Sequence, residues 1–311
     1  MHDLIIIGGG PAGVSAGIYA ARKKMKSAII TDMLSGQSVV SVDIQNWVGT
    51  PSISGFDLAQ SLEAHLRGQG GIDIMDGERA IKIEKKEDGS FLVTLQSGKT
   101  IETKNILLTT GSRHRKLGTP NEERFEGHGL VYCAICDAPL FKGKDVAVVG
   151  GGNSGLESVV DLMQYAKKIY LLHHGTALKG DPTTQEKVLN HENVEVIFNA
   201  ETKEILGEDK LVNGLVYEDL KTGEKKTLSV QGVFVEIGVQ PNSELVKDFV
   251  NLSEYGHIIV DPRTQKTSAP GIWAAGDVTD CPYRQNNISA GDAIKAVLNI
   301  YEDVYVRGKS V

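Results

Sequence analysis

The sequence predicts an α/β protein made of two Rossmann-like, three-layer (ββα) nucleotide-binding domains, the second inserted into the first. Three observations carry this. A short apolar run, Leu4 to Ile7, ends in Gly8-Gly9-Gly10-Pro11-Ala12-Gly13 and opens a helical pattern. The same order recurs with Asp145 to Val149, Gly150-Gly151-Gly152-Asn153-Ser154-Gly155 and a second helical pattern. The chain then ends on a strand and a helix that the first unit lacks. Strand, glycine loop and helix in this order put free N–H groups and the positive end of a helix dipole under a pyrophosphate.

The elements follow in turn. Residues 3–7 read as a buried parallel strand, Pro11 to Lys24 as the helix after it, and Ser27 to Thr31 as the next strand. Ile81–Ile83 and Phe91–Leu95, divided by a charged turn ending in Gly89, read as an antiparallel hairpin, and Asn105 to Thr109 as another buried strand. The pattern restarts with the strand Asp145–Val149, a helix over Ser154–Tyr165 and the strand Ile169–Leu172. Val194–Phe198, Leu211–Asp219 and Thr227–Val230 form a meander, and Gly232–Gly238 closes the unit. Ile258–Val260, Gly271–Ala275 and a helix from about Ser289 to Tyr301 finish the chain. The expected domains are 1–113 with 244–311, and 114–243.

Gly8 permits a tight turn, Gly10 lets backbone reach phosphate, and Gly13 lets helix approach strand. Asp32 stands about twenty residues further on, where a carboxylate grips a ribose. At the matching place after the second loop stands Leu172-His173-His174-Gly175, with neither a carboxylate nor an arginine cluster. His174 and Lys179 offer a weak cationic site there, or are exposed loop residues.

Cys133-Ala134-Ile135-Cys136-Asp137 lies just ahead of the second glycine motif. Two intervening residues at a helix start bring sulfurs within bonding reach, and a helix N-terminus lowers a thiol pKa. Asp137 is placed to pass a proton to a departing thiolate. Zinc would need four ligands, and the only other cysteine is the distant Cys281; no metal site is expected. Two nucleotide sites and a dithiol together imply electrons passing from one nucleotide through another to a disulfide.

Composition narrows the rest. A net charge of −7 argues against nucleic acid or an acidic membrane as partner. No apolar stretch approaches the roughly 20 residues that span a bilayer, and the first apolar run has no cationic segment or cleavage site. A C-x-x-C without a disulfide framework favours a cytoplasmic location.

These motifs resemble the low-molecular-weight thioredoxin reductase family over essentially the whole chain. Gly8–Gly13, Thr109-Thr110-Gly111, Cys133–Asp137, Gly150–Gly155, Glu236-Ile237-Gly238, Ala275-Gly276-Asp277 and Arg284-Gln285 keep its order and spacing. The stretch Asp137 to Lys144 looks most like the flavoprotein component of alkyl hydroperoxide reductase, whose additional N-terminal pair of thioredoxin-like folds is not among these 311 residues.

The resemblance implies FAD in the outer domain, NADPH or NADH in the inserted one, a homodimer, a swinging inserted domain, and a thioredoxin-like or glutaredoxin-like disulfide protein as acceptor. It implies FAD contacts from Gly8, Gly10, Pro11, Ala12, Gly13 and Asp32, from Gly36, Gln37 and Asn46 beside the flavin ring, and from Thr110 and Gly111. Gly276 and Asp277 would meet the ribitol or pyrophosphate, and Arg284 and Gln285 the pyrimidine edge. Pyridine nucleotide would lie on Gly150, Gly152, Asn153, Ser154 and Gly155, near His173, His174 and Lys179. Cys136 would face the flavin and Cys133 would attack the substrate disulfide.

The sequence departs from that family at four points. Ser35 replaces a glycine, Ala138 replaces the glycine after Cys-Asp, and Gly291-Asp292-Ala293 replaces Gly-x-Gly. His173-His174 and Lys179 replace a His-Arg-Arg and Arg set for NADPH. NADH, or a reduced ferredoxin or deazaflavin, therefore stays open as donor, and a flavin-bound redox sensor as the non-enzymatic alternative.

Overall fold

The computed structural model describes residues 1–306 except Ser35 and Val42. The serine that replaces a family glycine thus lies outside the described residues. The chain forms two units. One holds Met1–Val39, Trp47–Arg113 and everything described from Gln240 onward; the other holds Val40–Asn46 and His114–Val239.

The first unit begins with β1 (Leu4–Ile7), α1 (Pro11–Arg22) and β2 (Ser27–Thr31). Then come α2 (Gly55–Gln69), β3 (Ile72–Asp76), β4 (Ala80–Lys85), β5 (Phe91–Leu95), β6 (Thr100–Thr103), β7 (Ile106–Leu108) and β8 (Ser112–His114). The second unit carries α3 (Glu122–Phe125), β9 (Leu130–Val131), α4 (Ala134–Asp137), β10 (Asp145–Val149) and α5 (Asn153–Leu162). It continues with β11 (Lys168–His173), α6 (Pro182–Leu189), β12 (Val194–Phe198), β13 (Ala200–Glu208), β14 (Leu211–Asp219), β15 (Lys225–Leu228) and β16 (Gly232–Val235). The chain returns through β17 (Val239–Pro241) to β18 (Ile272–Ala274) and α7 (Asn286–Tyr301).

Each unit has the expected three layers. In the first, a parallel sheet of order β18-β7-β1-β2-β3 lies between helices and the antiparallel sheet β4-β5-β6. Side chains alternate across a strand, so each one feeds two cores. Leu4 and Ile6 pack with Ala12, Ala16 and Ala20 of α1 and Ala293, Ala296 and Val297 of α7. Ile5 and Ile7 pack on the other face with Ile83, Phe91 and Val93. The second unit repeats this with the parallel sheet β12-β11-β10-β16-β9 and the antiparallel sheet β13-β14-β15. Val146 and Val148 meet Leu156 and Val159 of α5, while Ala147 and Val149 meet Ile205 and Leu215. Strand β8 pairs with β17, so the chain enters and leaves the second unit on neighbouring strands.

The structure departs from the sequence reading at several places. The return to the first unit comes at Gln240 rather than after Ser243, because Asn242 is tied to that unit. Its N–H donates to Gly111 O (3.0 Å), its Nδ2 to Thr110 O (2.8 Å), and its carbonyl accepts from Thr110 Oγ1 (2.7 Å). Ile258 makes isolated bridges to Leu252 and Thr279 instead of opening a strand. Helix α5 runs Asn153–Leu162 rather than 154–165, because Tyr165 N turns back to Leu162 O (2.9 Å). Among the described residues no helix is long and apolar enough to cross a membrane.

Candidate active site

In the first unit β1 runs into Gly8 at φ +116, a backbone conformation that L side chains rarely adopt, and a Cβ on Gly13 would overlap the Gly8 carbonyl. Gly10 caps α1 with Pro11 at its first position, which leaves the N–H groups of the first turn without intrahelical partners. Gly36 lies directly over Gly10, and Ala12 is buried beside Gly276. Asp32, just past β2, has an exposed carboxylate paired with Arg79. Gln37 Nε2 donates to the Ser112 carbonyl.

From the far end of the chain, Asp277 accepts a hydrogen bond from Ser289 Oγ (3.2 Å), and burial raises its pKa against the pull of Ser289 and Arg284. Arg284 Nη2 lies 2.9 Å from Nε2 of the buried His257. Burial first, and then Arg284, hold the His257 pKa down, so the ring is a neutral acceptor there. Arg284 Nε is buried without a hydrogen-bond partner among the described residues. Gln285 caps α7.

A helix N-terminus with a glycine approach, a half-enclosed carboxylate and an unused guanidinium N–H fit FAD, with its pyrophosphate, ribitol hydroxyls and pyrimidine edge. Asn46 falls in the short stretch Val40–Asn46, which groups with the second unit.

In the second unit Gly150 stands at φ +133, and a Cβ on Gly155 would overlap the Gly150 carbonyl, so the first loop's geometry is repeated. Gly152 caps α5. Asn153 Oδ1 accepts from Asp181 N (2.8 Å), and Lys179 N donates to Gly151 O (2.7 Å), which fastens the 179–181 loop over the glycines. Ser154 is exposed on the first turn of α5. His173 is buried against Gly151 and Gly175, and desolvation, then His174 and Lys179, lower its pKa. It fills the floor of the loop as a neutral ring. His174, 4.8 Å from it between ring centroids, and Lys179 are exposed. The loop fits a pyrophosphate, with those two residues as the side chains at its rim that can carry positive charge.

The dithiol lies in the same unit. Cys133 caps the one-turn helix α4 and is bonded to Cys136, with a Cα–Cα separation of 5.3 Å. The intervening Ile135 is exposed, whereas Asp137 is buried, and burial alone pushes its pKa up to about 6. Tyr132 stacks on His114 (4.8 Å, 20°) and donates to Glu122 Oε1 (3.1 Å). Glu122 also accepts from the N–H groups of Leu117 and Gly118, both at 2.8 Å.

Asp137 makes the first testable point. Its folded pKa lies above its ordinary value, so the folded chain binds more protons than the unfolded one between about pH 4 and 6. Stability should therefore fall as pH rises through that window, by roughly 3 kcal/mol in total. Asp137→Asn should flatten that part of the profile in urea melts at pH 4, 6 and 8. An unchanged slope would mean the carboxyl is not desolvated.

The sequence profile of the pyridine nucleotide-disulphide oxidoreductases matches residues 2–296. The chain belongs to that family. Among its members, a protein named NADH dehydrogenase from Bacillus subtilis (strain 168) is 42% identical over 300 residues, covering 96% of this chain and 58% of that protein. The F component of alkyl hydroperoxide reductase in Staphylococcus aureus (strain Mu50) is 42% identical over 301 residues, covering 97% of this chain and 59% of that protein. The chain thus spans under two thirds of both these curated relatives. A solved thioredoxin reductase from Streptococcus pyogenes MGAS5005 superposes with a TM-score of 0.88 at 35% identity, covering 97% of each chain. Another from Giardia duodenalis gives 0.88 at 29% identity, covering 97% of this chain and 98% of that one. The family's two nucleotide folds are the two units described above.

Sequence reasoning missed His257, Ser289 and Asp181 at these sites. Only Asp181 carried a local sign, the Asp-Pro-Thr-Thr of a helix start, where its carboxylate accepts from Thr184 N (2.8 Å).

Proposed function

We propose that this protein is an FAD-dependent thiol-disulfide oxidoreductase of the thioredoxin reductase type. It would carry electrons from NADPH or NADH to the Cys133–Cys136 pair, and from there to a disulfide on a thioredoxin-like, glutaredoxin-like or peroxiredoxin-type partner. The observation that carries the reading is the disulfide across one helical turn, followed by a buried aspartate, in the unit that also holds the second glycine loop. The alkyl hydroperoxide reductase component and the thioredoxin reductases among the relatives support this partner class.

Bound flavin would supply the step that joins two-electron hydride chemistry to sulfur. The chain's own residues supply the remainder. Gly8–Gly13 and Gly276-Asp277 would hold the flavin nucleotide, with Arg284, kept in place by His257, at its ring edge. Gly150–Gly155 would hold the pyridine nucleotide. Once reduced, Cys133 as thiolate would attack a partner disulfide, forming a mixed disulfide and releasing one partner thiolate. Asp137, half-protonated near pH 6, would give that thiolate its proton. Cys136 would then attack Cys133, restoring the internal disulfide and releasing the reduced partner. The dimer and a cytoplasmic location belong to the same proposal.

The test is anaerobic bleaching of bound flavin, titrated separately with NADH and NADPH. Bleaching by one of them within seconds is the expected result. Absence of bleaching by either would refute the pyridine-nucleotide half and point to a ferredoxin or deazaflavin donor.

A further inference from the structure

The two units have corresponding residues at the end of the strand beside each glycine loop, and these residues differ in chemistry. A Cβ on Gly8 would overlap the carbonyl of Thr109; a Cβ on Gly150 would overlap that of Glu236. Thr109 keeps its hydroxyl inside the loop, donating to Ile7 O (3.0 Å) and Gly8 O (3.1 Å). Glu236 is longer and acidic, and its carboxyl end turns inward to other elements. Ser158 Oγ on α5 donates to its Oε1 at 2.7 Å, and the backbone N–H of Ala134 favours the charged form of the same carboxyl. Ala134 directly follows Cys133 in the turn that holds the disulfide. One carboxylate therefore joins the strand end beside the glycine loop, helix α5 and the dithiol turn.

We propose that Glu236 is a positioning residue for the dithiol, holding the Cys133–Cys136 turn through the Ala134 N–H and setting by its charge how readily a reduced cysteine there ionises. The inference rests on the redox role proposed above for that pair.

The charge of this carboxyl changes in the working pH range. Burial raises its pKa to about 7, opposed by the hydrogen bonds from Ser158 and Ala134, and helped by the nearby carboxylates of Glu157 and Asp161 on α5. Asp161 on α5 and Asp137 on the dithiol helix itself also have their pKa values raised by burial. Below about pH 7 Glu236 is neutral and a thiolate forms without opposition from it. Above that pH a negative charge stands at the end of the turn and opposes a second one.

The test uses the full chain with flavin bound, reduced with dithiothreitol, desalted anaerobically and alkylated with iodoacetamide between pH 5.5 and 9, the modified cysteines being read by peptide mass. The parent should show an inflection near pH 7 on the rising thiolate curve. Glu236→Gln, close in shape and uncharged, should lose that inflection and react about threefold faster at pH 8. Ser158→Ala removes a donor that favours the charged form, so it should keep the inflection but move it to higher pH. A merely structural contact would give neither change. Identical profiles for Glu236→Gln and the parent would overturn the inference, and so would an unmoved inflection in Ser158→Ala if the glutamine variant fails to fold. The same samples in a glutathione redox buffer separate the two claims: if Cys133 and Cys136 do not re-form their disulfide, the redox role itself fails.

Discussion

Cys136→Ser is expected to lower disulfide-reductase turnover by at least about a thousandfold while leaving flavin bound and still bleached by the pyridine nucleotide. The asymmetry follows from where the cysteine stands. It lies on α4, in a different unit from the Gly8–Gly13 cradle, Asp277 and Arg284. Serine matches cysteine closely in size, so the turn closed by Asp137 N donating to Cys133 O (3.1 Å) should persist. What disappears is the sulfur that accepts electrons and later resolves the mixed disulfide. The variant should also trap a partner on Cys133, visible as a covalent adduct on non-reducing gels. Equal loss of flavin bleaching and disulfide reduction would contradict the relay, because it would make Cys136 necessary before the electrons reach sulfur.

Gly155→Ala is the second large effect. The added Cβ would meet the Gly150 carbonyl, a backbone atom that cannot rotate away, so the start of α5 must move off the loop. A displacement on the order of 1 Å at a site that orients a reacting group costs about a hundredfold in rate. Flavin bleaching by the pyridine nucleotide should slow by that factor, while flavin content stays near that of the parent. Stopped-flow absorbance reads the first, and the visible spectrum of the purified variant the second. Unchanged bleaching would show that the nucleotide does not use this loop.

The sequence carried the parts of this protein that are punctuated locally. Each glycine motif marks a strand-to-helix turn whose backbone only glycine adopts, and the apolar runs Leu4–Ile7 and Asp145–Val149 mark strands buried on both faces. Elements held by tertiary pairing were harder to read. Strand β13, Ala200–Glu208, is rich in charge and is a strand because Ala200, Thr202 and Ile205 are buried and β14 pairs along its length. Helix α2 begins at Ser54, whose hydroxyl accepts from Asp57 N (3.0 Å), a capping signal that the sequence does carry. At the sites, the Cys133–Cys136 pair could be read from its spacing, and the places of Asp32 after β2 and Asp277 after β18 from the motifs that hold them. Glu236 and His257 could not, because their meaning lies in what they touch. Glu236 looks like the polar end of a strand until Ser158 of α5 is found bonded to it, and His257 like a loop residue until Arg284 is found beside it.

The order of strands β18-β7-β1-β2-β3 has a consequence for how the chain is made. The edge strand β18 and the helix α7, which covers α1, leave the ribosome only after the whole of His114–Val239. Until then α1 shows the apolar face that Ala293, Ala296 and Val297 will cover. The second unit has all but Val40–Asn46 of its chain in one stretch and can close its own sheet during translation, whereas the first must wait on contacts nearly 300 residues apart, the slowest kind to form. Chains interrupted before Ile272 should therefore hold a folded dithiol unit joined to an aggregation-prone, flavinless partner. Docking of β18 and α7 onto the waiting sheet and α1 is then a late event of folding.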